Sequence, residues 1–291
     1  MFPLRSQHTL AKPVEVTGFG YWSGHDVRVE FRPAPAGTGL VFVRQDVASR
    51  PRIPAVVAHR VETPLRTTLV SQGVSVEMVE HVLSACAGLE VDNCEIWVDR
   101  AEMPGCDGSS QAFVDALTEG GIVEQDARRG RLVVTRVTRV GDDESWVEIR
   151  PRPRGGFRVT YRLDYGFASA IGRQTIELAV TPETFRRELA PARTFLLAAE
   201  AEWLRSRGLG TRVTLADVVV FGDAGPLGNE LRFEDECVRH KTLDLVGDFA
   251  LAGCEIVGQV IAHRSGHRLN AELIRELLAE AETIDEQRRT A

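Results

Sequence analysis

Two short strings carry the residue types of a hydrolytic metal site: Val79-Glu80-His81 in the first half of the chain and His240-Lys241-Thr242-Leu243-Asp244 in the second. On a helix, His240 and Asp244 stand four residues apart, so imidazole and carboxylate leave the same face and can grip one ion. His81 completes a set of three. Two neutral imidazoles and one carboxylate leave a coordination position for water, and Glu80 is the group to take that water's proton. Adjacent helical residues point about 100° apart, a splay that suits a ligand beside a base. The order is not His-Glu-x-x-His, so the zincin protease motif is absent.

Other polar groups gather around these strings. Asp248 extends the His240 and Asp244 line by another turn, with Lys241 beside it, while Val238, Leu245 and Phe249 occupy a different face. His267 sits in Ser265-Gly266-His267, a small-residue turn after a strand. Its unperturbed pKa near ~6.5 lets it donate a proton to a leaving amine around neutral pH, with Asp248 to keep it charged and oriented. Lys241 and Arg264 are cations able to neutralise a phosphate or carboxylate on a substrate. Cys237, three residues before His240, is a competing ligand. Each motif alone has a plainer explanation: a surface i, i+4 pair, a solvated Glu-His, a loop histidine. Their concentration favours the site. Asp107-Gly108-Ser109-Ser110 has the pattern of a turn followed by a helix cap.

The elements that must position these groups follow from periodicity. Residues 8 to 58 alternate apolar and polar positions between Gly and Pro clusters, which predicts β-hairpins. Ser75 to Leu89 changes period, with Val76, Val79, Leu83 and Cys86 forming a helical apolar stripe. A strand over Cys94 to Val98, a turn at Pro104 to Ser109 and a helix to about Glu119 follow. The charged stretch Glu124 to Arg131 is the linker candidate. Strands are expected near 132 to 140, 145 to 150, 157 to 163 and 174 to 180. A helix over Phe233 to Leu251, a strand over Ile256 to His263 and a last helix with Leu269, Leu273, Leu277 and Ala281 on one face complete the order. Helix, strand, small-residue turn and helix recur in both halves without matching identities, which predicts a duplicated α+β layout. Two domains are expected, 1 to 126 and 127 to 291, facing each other across the metal-binding cleft.

Bulk properties exclude several classes. A chain of 291 residues with 43% hydrophobic content supports two globular cores. Its net charge of -7 argues against nucleic-acid binding, which needs a basic face. Five cysteines (Cys86, Cys94, Cys106, Cys237, Cys254) with no C-x-x-C pair fit reduced thiols and a cytoplasmic location. The N-terminal Met1 to His8 string lacks the apolar region of a signal peptide. The longest apolar stretch, Phe249 to Ala262, is too short to span and contains Glu255, so no membrane segment is expected. Nothing signals a coiled coil, and a monomer is expected.

In this order the strings resemble the UDP-3-O-acyl-N-acetylglucosamine deacetylase family (LpxC), over nearly the whole chain. The resemblance rests on Thr17-Gly18, Arg32-Pro33-Ala34-Pro35-Ala36, Val79-Glu80-His81, Asp92-Asn93, Asp107-Gly108-Ser109 and Ala192-Arg193-Thr194-Phe195. It continues through Ser206-Arg207-Gly208-Leu209, Leu231 to Glu236, Val238-Arg239-His240-Lys241, Leu243-Asp244, Gly247-Asp248 and Ser265-Gly266-His267.

The resemblance implies His81, His240 and Asp244 as zinc ligands, Glu80 as general base and His267, partnered by Asp248, as the cationic histidine that assists the leaving amine. It adds Thr194 as a hydroxyl for the oxyanion and Lys241 as a substrate-contacting lysine, with Phe195 and Arg264 also expected at the substrate. It further implies two α+β sandwich domains, an insert at about 194 to 225 forming a hydrophobic acyl passage, and hydrolysis of UDP-3-O-acyl-N-acetylglucosamine to the free amine and acetate in lipid A biosynthesis. Imidazole and carboxylate ligands accept zinc and ferrous iron alike. Two alternatives stand beside this one: a silent paralogue that binds a nucleotide sugar around structural zinc, and a deacetylase of a different N-acyl sugar. Departures from the family pattern are Glu77-Met78 before Val79, Arg212-Val213-Thr214 in the insert, and the short tail Asp285 to Ala291.

Overall fold

Alternation builds the first sheet: along the strand Asp26–Pro33, Val27, Val29 and Phe31 are buried while Asp26, Arg28 and Pro33 are exposed. The computed structural model describes residues 4–290, with side chains to residue 281. Met1 to Pro3 of the N-terminal string and the side chains of the Asp285 to Ala291 tail lie outside the described residues.

Two sheets follow one plan. In the first, the strand order is Val14–Phe19, Asp26–Pro33, Cys94–Val98, Leu40–Arg44 and Arg52–Pro54. Cys94–Val98, late in sequence, lies between two hairpins, antiparallel to Asp26–Pro33 and parallel to Leu40–Arg44. In the second, the order is Thr138–Gly141, Trp146–Arg150, Glu255–His263, Phe157–Asp164 and Arg173–Ala179, and again the late strand sits centrally, antiparallel to Trp146–Arg150 and parallel to Phe157–Asp164. Arg131–Val133 pairs with the start of that central strand. The duplicated α+β layout expected from sequence is thus present in the strand order itself.

Six α-helices among the described residues accompany the sheets: α1 (Glu80–Gly88), α2 (Gln111–Gly120), α3 (Pro182–Thr184), α4 (Ala198–Ser206), α5 (Glu236–Ala250) and α6 (His267–Thr290). α1 and α5 each precede a central strand; α2 and α6 each follow one. α2 packs on Val14–Phe19, α5 on Phe157–Asp164, and α6 on Thr138–Gly141 and Trp146–Arg150. α1 lies along α5, and eight of its nine residues are buried, Glu80 and His81 among them. A helix enclosed on nearly every side needs no clean amphipathic stripe.

Gly247 makes that contact close. A Cβ there would stand 2.1 Å from the carbonyl oxygen of Glu80 and 2.9 Å from its carbon, so only glycine lets α5 rest on the first turn of α1.

Two elements differ from the sequence expectation. Ser75 to Glu77 ends the strand Val74–Glu77, and the helix begins only at Glu80. The Glu77 amide donates to Ala101 and its carbonyl accepts from Met103 (2.8 and 2.9 Å), which captures the segment as extended chain despite its helical period. Met78 then turns the chain at φ +57°, a left-handed conformation that few non-glycine residues adopt. The expected linker is also mostly strand. Ile122–Arg128 pairs antiparallel with Ser6–Leu10, leaving Arg129 and Gly130 before the next strand, and Arg129 with Arg5 holds the buried Asp92. Charge on the outer face of a two-stranded ribbon looks like linker in one dimension.

Replacing Gly247 by Ala is expected to destabilise the protein by at least about 1 to 3 kcal/mol, the range for an overpacked core. Chemical denaturation should show a lower midpoint at unchanged slope.

Candidate metal centre

α1 delivers Glu80 and His81 at its first turn, and α5 delivers His240, Lys241, Asp244 and Asp248 along one face. The start of α1 is pinned from outside: the carbonyl of His81 accepts from Ser84 Oγ (2.8 Å) and Ser110 Oγ (3.0 Å). Ser110 enters through the Asp107 to Ser109 turn, where Asp107 Oδ1 accepts from the amide and hydroxyl of Ser109, and Ser109 Oγ accepts from the Gln111 amide. The turn expected there is present; the side-chain cap is not, because Ser110, at the N-cap of α2, turns its hydroxyl to Ser84 and the His81 carbonyl instead. Gly108 adds a further constraint: at φ +81° it lies so close to the Asp217 carbonyl that a Cβ would stand 2.4 Å from it, and its own carbonyl accepts from the Thr194 amide at 2.7 Å.

His81, His240 and Asp244 converge, their candidate ligand atoms all within 4.8 Å of one another. Asp244 Oδ1 lies 3.6 Å from His81 Nε2 and 3.4 Å from His240 Nε2, and the two rings stand edge to face at 5.1 Å. His240 Nδ1 pairs with the Ala192 carbonyl (3.1 Å), which makes Nδ1 the protonated nitrogen and leaves the Nε2 lone pair free. Burial pushes the His240 pKa down to about 4, keeping the ring neutral as a ligand must be. Asp244 Oδ2 accepts from Lys241 Nζ at 2.8 Å. Oδ1 is buried with no hydrogen-bond partner among the described residues.

A buried carboxylate oxygen facing two imidazole nitrogens is costly unless a cation completes it, so the donor set fits a divalent metal ion. Burial works against the charge of Asp244, but His240 and Lys241 hold its carboxyl well below the usual range. Cys237 is not part of this ligand group, and burial lifts its thiol to about 12, so it does not compete.

The candidate proton-handling groups lie alongside. Glu80 is 4% exposed, and burial raises its pKa, opposed by His267 and His81. His267 is the first residue of α6, where a turn had been expected. Its Nδ1 is 2.9 Å from Asp248 Oδ2 and its Nε2 is 4.0 Å from Glu80 Oε1. Burial lowers the His267 pKa, but Asp248, Glu80 and Asp244 outweigh it and lift the value to about 9, so the ring is cationic at neutral pH.

All of these groups except Asp248 line a cleft of about 1100 Å³, with Thr194 and Phe195 on its wall. Phe195 packs edge-on to His240 at 6.3 Å. Arg264 stands at the exposed rim, its guanidinium 3.3 Å from Glu144. The two departures in the body of the chain keep their charged residues out of the cleft, while Met78 and Val213 line it. Glu77 is paired with Arg66 (2.9 Å), and Arg212 turns outward to Asp26 and the Gly24 carbonyl (2.7 Å each) while Val213 faces the cleft. Sequence reasoning missed Thr67, Asn270 and Gly247, which touch the site only through folding.

The duplicated sheets and the buried two-histidine, one-aspartate set define an α+β protein with a candidate metal site in its cleft. The family model described as UDP-3-O-acyl N-acetylglycosamine deacetylase (LpxC) matches residues 7–279. The chain belongs to that family. Curated relatives named UDP-3-O-acyl-N-acetylglucosamine deacetylase include that of Syntrophotalea carbinolica, 39% identical over 277 residues, covering 95% of this chain and 89% of the relative. That of Mannheimia succiniciproducens is 40% identical over 281 residues, with coverage of 95% and 91%. That of Solibacter usitatus is 38% identical over 278 residues, with coverage of 95% and 92%.

Replacing Asp244 by Asn should weaken divalent-ion affinity at least as much as losing an outer partner of a ligand does, about 10- to 100-fold. Competition against a chromophoric chelator measures this, and unchanged affinity would remove Asp244 from the ligand set.

Proposed function

We propose that the protein hydrolyses the acetamide of UDP-3-O-acyl-N-acetylglucosamine, releasing acetate and the free amine, as a zinc-dependent deacetylase of lipid A biosynthesis. The observation that carries this reading is the placing of an acid and a base at one ligand set: Glu80 Oε1 and His267 Nε2, 4.0 Å apart, beside His81, His240 and Asp244. When bound, a divalent cation there acidifies water and polarises a carbonyl oxygen.

The chain's own groups do the rest. Glu80, buried and raised in pKa, takes the proton of the attacking water. Thr194 donates its hydroxyl to the oxyanion, a contribution whose loss costs roughly 2.7 to 4 kcal/mol in comparable sites. His267, held charged by Asp248, gives its Nε2 proton to the departing nitrogen. Lys241 bridges the Asp244 carboxylate and the cleft, where it and Arg264 meet the anionic part of the substrate. Phe195 with Leu204, Leu209 and Val213 supplies apolar wall for the acyl chain within the 194 to 225 insert.

The reading includes two domains, 1 to 126 and 127 to 291, supported by the two equivalent sheets. It includes a monomer, since one chain supplies ligands, base and acid. No helix among the described residues is long and apolar enough to cross a membrane. The five free cysteines support a cytoplasmic setting. Zinc is favoured over ferrous iron by nothing in the donor set, so the metal is assigned by reconstitution of the stripped protein with each.

Acetate release from UDP-3-O-acyl-N-acetylglucosamine, abolished by a chelator and restored by zinc, tests the activity; release only from another N-acetyl sugar would overturn the substrate. Glu80→Gln should retain the metal and lose about 10²- to 10⁴-fold in turnover, the usual worth of general base catalysis. The reaction needs His267 protonated, so activity should fall as pH rises toward about 9. Positive charge at the ligand set pulls that limb lower, and Asp248→Asn, by removing the carboxylate that raises the pKa, should pull it lower still. A basic limb that ignores Asp248→Asn would exclude His267 as the acid.

A further inference from the structure

Thr67 lies just before the strand Thr68–Ser71, in the first half of the chain, and is completely buried. Three of its groups reach the site. Its amide donates to Glu80 Oε2 at 3.0 Å, and its carbonyl accepts from the Val79 amide at 3.3 Å, one residue ahead of α1. Its hydroxyl donates to Asp248 Oδ1 at 2.7 Å, on α5 in the other half. The remaining oxygen of Glu80, Oε1, is the one that approaches His267, and the remaining oxygen of Asp248, Oδ2, is the one that receives His267 Nδ1 and Asn270 Nδ2 (2.9 and 2.8 Å). One residue therefore fixes the unused oxygen of both carboxylates.

We infer that Thr67 is a positioning residue for both proton transfers, its amide selecting which oxygen Glu80 presents and its hydroxyl setting the plane in which Asp248 orients His267. This rests on the deacetylase reading. The physical basis is directional. A carboxylate held by one hydrogen bond swings about it, whereas one held at both oxygens has its plane set. Asp248 is 1% exposed, so without the hydroxyl its Oδ1 keeps no donor among the described residues and the carboxylate is free to rotate toward another. Asn270 does not substitute, because it and His267 share the opposite oxygen. Asn270 is itself held by Ser265 (3.1 Å), so the Oδ2 side is already anchored from α6, and Thr67 supplies the anchor from the first half of the chain.

The test uses the full-length, zinc-loaded protein and its Thr67→Val, Thr67→Ser, Asp248→Asn and doubly substituted variants. Valine keeps the shape and removes the hydroxyl; serine keeps the hydroxyl. Expected is a kcat loss of about 10- to 100-fold in Thr67→Val with KM within about twofold, and recovery to within about threefold in Thr67→Ser. Because the hydroxyl acts through Asp248, Thr67→Val should cost little further once Asp248→Asn is in place.

A second readout needs neither metal nor turnover. The far-downfield proton resonance of His267 Nδ1 in the hydrogen bond to Asp248 should shift or vanish in the stripped Thr67→Val protein and persist in Thr67→Ser. Should the valine variant fail to fold, Thr67→Ala is read in its place. Unchanged kcat in the hydroxyl-free variant, losses that multiply with Asp248→Asn, or an unmoved resonance would overturn the inference. Absence of acetate release by the parent protein would instead sink the deacetylase reading and leave the resonance to decide the role of Thr67.

Discussion

Everything at the centre of this protein depends on how closely α5 approaches α1. Gly247 lies against the backbone of Glu80 with no room for a side chain, and this contact sets the distance between the two halves at the point where their chemistry meets. With the helices in this close contact, donor atoms from both share one small volume. Each half brings part of the set: His81 from the first, His240 and Asp244 from the second. The close contact is also what buries them, and burial is what keeps His240 neutral and lifts Glu80.

The electrostatics follow from that enclosure. Carboxylates at Glu80, Asp244 and Asp248 crowd a region of low solvent access, where an unpartnered charge is expensive. Asp248 is saturated by three donors, one oxygen of Glu80 accepts from the Thr67 amide while the other faces His267 at 4.0 Å, and one oxygen of Asp244 accepts from Lys241. Asp244 Oδ1 is buried with no hydrogen-bond partner among the described residues. A buried carboxylate oxygen left facing two ring nitrogens fits a cation at that point. Further out, the buried pair of Arg193 with Glu236, reinforced by Asn229 and the Glu230 carbonyl, fixes the segment that carries Thr194.

What the sequence disclosed and what it hid divide along physical lines. His240 and Asp244 were legible because helical spacing is local, and Cys94–Val98 because its strand pattern is unambiguous. The duplication was legible as an order of element types, and the structure extends it to identical strand order in both sheets. Ser75 to Glu77 misled because their apolar spacing suits a helix, whereas the decisive partners, Ala101 and Met103, lie more than twenty residues away. Thr67 carried no signal at all. A threonine before a strand is ordinary, and its importance comes only from Asp248, 181 positions further along. Thr194 was reached through family resemblance alone, since nothing in its own neighbourhood announces a residue on the cleft wall.

That the donor atoms come from both halves has a thermodynamic corollary. An ion bound to such a set stabilises only the arrangement in which the halves are docked, so its binding energy is also adhesion energy between them. Metal concentration and cohesion between the two halves are then linked variables. Starvation for the ion would loosen the seam between α1 and α5 before it unravelled either sheet, exposing apolar surface that the loaded protein keeps covered. For a cell, the same ion would set both how much of this protein works and how long it survives proteolysis.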